Sequence, residues 1–281
     1  MSEESLPLEF ASPALLDAFQ KHFLRLASIL HRVDVKELAK VDPKLYQCAL
    51  LFHCIADDAE SICLLGQHGY SNQATMVHRA FLEKIVTLIY LQVTTEDEFK
   101  AYFLYSIQKT YRLMDRNLKV NDDKKIALKF KGDFDLSAHP EMKEAVDRFT
   151  RVSGKVKTRW VNGSIETKLS VIEKAGVIDA GFLMFPLFYV YDDASEALHG
   201  TMYGCLVHFG IYEPGAAPTS AEERAKHHRR HLALLFWFGI TTLHTLNKYV
   251  LWKTKQDALL AESQECFDTA NEQMGSTIEK K

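Results

Sequence analysis

The chain has 281 residues, 47 % of them hydrophobic and 25 % charged, with only 13 glycines and 7 prolines, which excludes collagenous, Pro-rich and Gly/Ser-linker classes. Lys and Arg number 34 against 37 Asp and Glu, a formal charge of −3. That balance excludes a surface that coats nucleic acid along its whole extent and leaves room for a local basic site.

In chain order, nearly every segment carries a helical period, and no run alternates strongly enough to predict a strand. Ser12-Pro13 joins an N-cap residue to proline at the first helical position, and Leu15, Phe19, Phe23, Leu26 and Leu30 follow on one face. A second long helix is predicted from Asp42-Pro43 to Gly66 or Gly69, a third from Ser71 or Asn72 through Ile89, and a fourth behind the cap Thr95. Residues 121–137 are polar and lysine-rich, and a helix is expected after His139-Pro140, ending at Ser153-Gly154. Ser164 to Ala175 predicts a short helix closed by Gly176. Gly181 to Tyr191 is apolar, helical spacing resumes from Ser195 to Phe209, and Ser220-x-x-Glu223 is a capping box opening a long last helix.

These elements predict an all-α fold, a single multi-helix bundle of about seven to nine helices given a typical helix of about 10–14 residues. Residues 1–265 are expected to form one domain with an irregular segment around 120–160, and 266–281 a polar, frayed tail. Leu232 to Trp252 is long enough to span a bilayer, but His244, Asn247 and Lys248 interrupt it, so a buried core helix is predicted and no membrane association. The acidic start Met1-Ser2-Glu3-Glu4 has no apolar run behind it, which predicts no secretory signal and a cytoplasmic protein. Five cysteines with no Cys-x-x-Cys pair predict free thiols rather than disulfides or a zinc knuckle. Phosphate-loop, dinucleotide-binding, nucleophile-elbow, His-Glu-x-x-His and EF-hand patterns are all missing, so no cofactor or metal is expected.

Four groups of residues could carry chemistry. Arg79 and Glu83 are four apart on an otherwise apolar helix. They are either an ion pair that fixes packing or a phosphate- or carboxylate-binding arginine oriented by its glutamate. Tyr191, Ser195 and His199 form one line along a helix, with Glu196 a turn before His199 and Gly200 just after it. His199 is a candidate general acid or base, or else a core histidine tying helices together. The basic residues Arg148, Arg151, Lys155, Lys157 and Arg159, beside Trp160, and Arg224, Arg229 and Arg230 farther on, read as RNA- or anion-binding groups or as solvated faces. Glu223, His227 and His231 have a spacing that could clasp a metal, but Glu223 is claimed by the capping box and the neighbouring cations oppose it.

The succession Arg79-x-x-x-Glu83, the Tyr/Arg-rich stretch Tyr102 to Arg112, Trp160, and Tyr191-x-x-x-Ser195-x-x-x-His199-Gly200 resembles a family of uncharacterised, mostly bacterial helical domains, over about residues 45–210. That resemblance implies a helical fold and the site's location. A broader similarity is to HEPN-like helical domains, partly through Arg25 and His31, which implies an RNA-cleaving effector of a bacterial stress or phage-defence system. Six residues along a helix of about 3.6 residues per turn rotate through about 600°, which leaves Arg25 and His31 about 120° apart around their helix. The expected function is metal-independent RNA cleavage, with His199 as acid or base, Arg79 on the phosphate, and Glu83 or Glu196 positioning them. The alternatives are a non-catalytic sensor or partner-binding subunit in which these pairs are structural, and an anion pocket between helices. RNA or another phosphate-bearing ligand is the expected partner, with a homo-oligomer or protein partner also open.

Overall fold

Helix caps set the boundaries of the chain. In this computed structural model, residues 12–119, 125–161, 163–209 and 220–279 are described. The Ser12 hydroxyl accepts from the Leu15 N–H at 3.1 Å and opens α1, Pro13–His31, whose Phe19, Phe23 and Leu26 are fully buried. Two short helices follow, α2 (Val35–Val41) and α3 (Pro43–Gln47), then α4 (Ala49–Gln67). The long helix expected from Asp42 is therefore divided at Cys48, where φ −90° and ψ 3° leave the helical region. Next come α5 (Ser71–Val93) and α6 (Glu96–Met114), the latter capped by Thr95 as expected.

A two-stranded antiparallel ribbon then appears, β1 (Asp115–Lys119) against β2 (Lys125–Lys129), with Asn117 opposite Ala127. The sequence pattern predicted no strand there. Ile126, Leu128 and Phe130 do alternate, but over too few residues to stand out, and all three are exposed. Lys124, part of the lysine-rich stretch, lies outside the described residues. The remaining helices are α7 (Pro140–Arg148), α8 (Ile165–Ala175), α9 (Gly181–His199), α10 (Met202–His208), α11 (Ala221–Thr254) and α12 (Asp257–Glu279). The fold is an all-α multi-helix bundle with twelve α-helices among the described residues. The excess over the expected number comes from short helices that a periodicity window does not separate. The polar stretch expected to fray continues α12 to Glu279, with Cys266 and Ala270 fully buried.

The chain divides into two compact units, one taking the residues up to Gln92 and from Lys168 on, the other Val93–Thr167. The first is organised around α11, 34 residues or about 50 Å at 1.5 Å per residue. Its capping box is formed as expected, with the Ser220 N–H donating to Glu223 Oε2 at 2.7 Å and the Glu223 N–H to Ser220 Oγ at 3.2 Å. α1, α4, α9 and α12 all pack on it. Gly239 lets α1 approach: a Cβ there would stand 2.5 Å from the Phe23 ring. Buried Thr241, Thr242, His244 and Asn247 punctuate α11, and Asn247 Nδ2 donates to the Leu26 carbonyl at 3.0 Å. No helix of the described residues is long and apolar enough to cross a membrane. The second unit has its own small core of Ala101, Leu104, Ala145 and Phe149, with Tyr105 and Trp160 packed against it.

Candidate functional site

α5 presents Arg79, Glu83 and Thr87 at successive turns of one face, and α9 presents Tyr191 and Ser195 one turn apart. Arg79 Nε donates to Glu83 Oε1 at 3.0 Å, and Arg79 Nη1 donates to Ser195 Oγ. The guanidinium lies 4.0 Å from the centroid of the Tyr191 ring, a cation–π contact. Three partners thus hold a planar cation whose side chain is 21 % exposed. Its Nη2 has no partner among the described residues, so this fork-shaped donor still points N–H groups outward. Helix periodicity placed Arg79 with Glu83; it could not place Ser195, 116 residues away, beside them.

Lys168 of α8 is a member of this group that the sequence pattern did not single out. Its Nζ donates to Thr87 Oγ1 at 3.1 Å. Burial holds its pKa below the ordinary lysine value, with the Glu83 carboxylate acting in the opposite direction. The available signal was its place at the edge of the apolar stripe of α8, next to buried Leu169 and Ile172. The site is therefore an acidic side chain, Glu83, with a stacked arginine and a desolvated lysine near it.

His199 is not drawn into this group. It is the last residue of α9, exposed, and its imidazole has no hydrogen bond among the described residues. Gly200 follows at φ 64°, ψ 34°, the left-handed turn that ends the helix. Glu196 does not hold His199: its Oε2 accepts from Thr201 Oγ1 at 2.6 Å and caps the turn into α10.

The other candidate residues have separate surroundings. In the second unit, Arg148 spends its fork on Asp97, at 2.9 and 2.6 Å, and also donates to the Asp97 carbonyl at 3.2 Å. These hydrogen bonds hold the Asp97 carboxyl below its usual range. α7 ends at Arg148, earlier than expected, because residues 149–157 turn back as a hairpin with Gly154 at φ 76°. Arg151, Lys155, Lys157 and Arg159 are exposed on and just after it. Trp160 is half-buried, edge-on to Tyr102 at 5.1 Å, so its ring serves packing. Arg224, Arg229 and Arg230 are half-buried on the first turns of α11.

The histidines that follow Arg224 are structural donors. His227 Nε2 faces the Val207 carbonyl at 3.2 Å and His228 Nε2 the His208 carbonyl at 2.8 Å, so both cap the C-terminal end of α10. His231 Nε2 lies 2.7 Å from Thr75 Oγ1, whose hydroxyl donates to the Ser71 carbonyl, so His231 is the donor. Burial, then His227, His228 and His208, push His231 down to about 3. His78 is fully buried with neither ring nitrogen hydrogen-bonded, and burial followed by His231 pushes it down to about 3 as well. Beside Thr75, His227 and His231 lies a cavity of about 20 Å³, room for about one water. Among the described residues no group of three or more His, Cys, Asp or Glu is arranged to hold a metal ion.

Arg25 and His31 diverge. Arg25 donates to Glu265 at 2.9 Å and Glu262 at 3.3 Å on α12, whereas His31 meets His53 and Glu60 of α4 at 3.4 and 3.7 Å.

A family described as a family of unknown function, DUF5677, matches residues 48–215, a span that contains Arg79, Glu83, Lys168, Ser195 and His199. The chain matches no curated protein and no solved structure.

Proposed function

The chain belongs to the family of unknown function DUF5677, and we propose that it is a helical recognition module that binds a phosphate group of RNA at Arg79. One observation carries this reading: the guanidinium is oriented by Glu83, Ser195 and Tyr191 and keeps donors that those contacts leave unspent. A preorganised fork loses little entropy when a phosphate oxygen docks, and guanidinium geometry suits such oxygens. Lys168 adds a second cationic side chain near Glu83, and Glu83 keeps Arg79 aligned.

The test uses a labelled single-stranded RNA and the variant Arg79→Lys, which keeps the charge and removes the fork. Affinity should fall about tenfold, or ~1.4 kcal/mol, with a melting temperature close to wild type. Binding by R79K equal to that of wild type overturns the reading, as does an RNA that does not bind at all.

A second reading, RNA cleavage by a stress or defence effector, is favoured by His199: its imidazole is exposed and unbonded one turn beyond Ser195. A neutral imidazole there takes the proton of a 2′-hydroxyl as that oxygen attacks the adjacent phosphorus. The 5′-oxygen leaves with a proton from water, and a 2′,3′-cyclic phosphate remains. Purified chain in a chelator should then cut RNA to cyclic-phosphate ends, and His199→Ala should lose that activity. Intact RNA, or equal cutting by H199A, sinks this second reading and leaves the first in place.

A further inference from the structure

A long cleft in the first unit takes no part in the Arg79 site. Its floor is one face of α11, where Trp237, Thr241, Lys248 and Trp252 fall at helical spacing over about 22 Å at 1.5 Å per residue. Leu260 and Phe267 of α12 form one wall, and Phe182 with Phe185 of α9 forms the other. It comprises two adjoining chambers of about 460 and 580 Å³ that share Asp179, Phe182 and Phe267. Each lies in the range of small-molecule sites, about 300–1,000 Å³.

We propose that this cleft binds the anion of a long-chain carboxylic acid, with the alkyl chain lying along α11 and the carboxylate at Lys248. The length and the two-chamber form suit an extended chain rather than a compact ring system. Aromatic and aliphatic walls supply the hydrophobic term by burying the ligand's methylene groups. Lys248 is exposed at the cleft and has no ion pair among the described residues, whereas Lys253 on the same helix is held by Asp42 at 2.8 Å.

Four of the cleft's other polar side chains are engaged within the protein. His244 is neutral near pH 7, pushed down to about 4 by burial and then by Lys248. It is bonded to Ser263 Oγ at 3.1 Å and stacked on Phe267 at 4.2 Å, so it lines the cleft as a flat wall. Asp179 Oδ1 accepts from the Gly181 N–H at 2.9 Å. The Thr241 and Thr245 hydroxyls donate to carbonyls of their own helix at 3.0 and 2.9 Å. Among the described residues that line the two chambers Lys248 is the only lysine or arginine, and a single cation matches a singly charged carboxylate better than a phosphate.

The experiment titrates the full chain with sodium dodecanoate and, as the neutral control, dodecanol, following tryptophan fluorescence. Saturable binding of dodecanoate about tenfold tighter than dodecanol is expected. Lys248→Gln, an exposed substitution, should erase that preference and leave dodecanol affinity unchanged. Phe182→Asp, at the wall common to both chambers, should weaken both ligands at least tenfold while the melting temperature stays near wild type. The absence of saturable binding, equal affinity for acid and alcohol, an unchanged preference in K248Q, or unaffected binding in F182D overturns the proposal. None of these outcomes touches the Arg79 reading, whose ligand and residues are different.

Discussion

Arg79 shows how a single side chain changes character with its partners. A lone arginine on an apolar helix would face a desolvation penalty; here Glu83 supplies an ion pair, Ser195 a hydroxyl acceptor and Tyr191 a π face. The histidines illustrate the opposite solution, staying neutral. His78 and His231 titrate at about 3 in the folded chain, against about 6.5 for an unperturbed imidazole. Below pH ~6.5 the unfolded chain takes up protons that the folded chain refuses until pH ~3, so stability is full above ~6.5 and erodes as pH falls between those values. Melting temperatures measured from pH 7 to pH 4 should fall steeply across that window. His78→Phe removes one such site without removing a hydrogen bond, because neither ring nitrogen makes one. Its melting temperature should therefore fall less with acid than that of wild type. Parallel pH profiles for H78F and wild type would show that burial of His78 does not set the acid sensitivity.

Among elements, α11 does most of the organising, and the surfaces it offers are specific at single positions. At Gly239 the missing Cβ admits the Phe23 ring of α1, which is fully buried. Gly239→Ala places a methyl at 2.5 Å from that ring, closer than carbon atoms tolerate. Overpacking of this kind costs about 1–3 kcal/mol, equivalent to a melting temperature lower by several degrees. Phe23→Leu in the same chain should recover part of the loss; a G239A variant as stable as wild type would contradict the close approach of α1 and α11. α10 is joined to the same helix through a different device, its last carbonyls meeting His227 and His228. In the sequence these histidines stand between Arg224 and Arg229, two of the residues that read as RNA- or anion-binding groups. Tertiary contact turns both histidines into caps, because a helix end has carbonyls without partners and the imidazole N–H groups are within reach.

At the scale of the whole molecule, the formal charge of −3 conceals an uneven distribution. Arg151, Lys155, Lys157 and Arg159 gather on and just after one hairpin of the second unit, exposed to solvent, while Arg148 beside them is neutralised by Asp97. Counting basic residues along the chain could not separate the four from the one, since the pairing joins residues 51 apart. The division into two compact units was equally hard to read: no linker of biased composition marks Gln92–Val93 or Thr167–Lys168, because both boundaries fall inside helices, α5 and α8.

What the sequence determined by itself is what depends on neighbours within about one helical turn: the helical class, the caps at Ser12, Thr95 and Ser220, the interrupted apolar face of α11, and the pairing of Arg79 with Glu83. Backbone i to i−4 hydrogen bonds fix those relations whatever the rest of the chain does. Only the tertiary structure decided that Ser195 and Tyr191 close on Arg79, that Lys168 reaches Thr87, that His199 stays in solvent, and that Lys248 stands unpaired over an aromatic cleft. Those outcomes depend on which faces of separate helices pack together. That choice is made by burial of the whole apolar surface, and local spacing does not encode it.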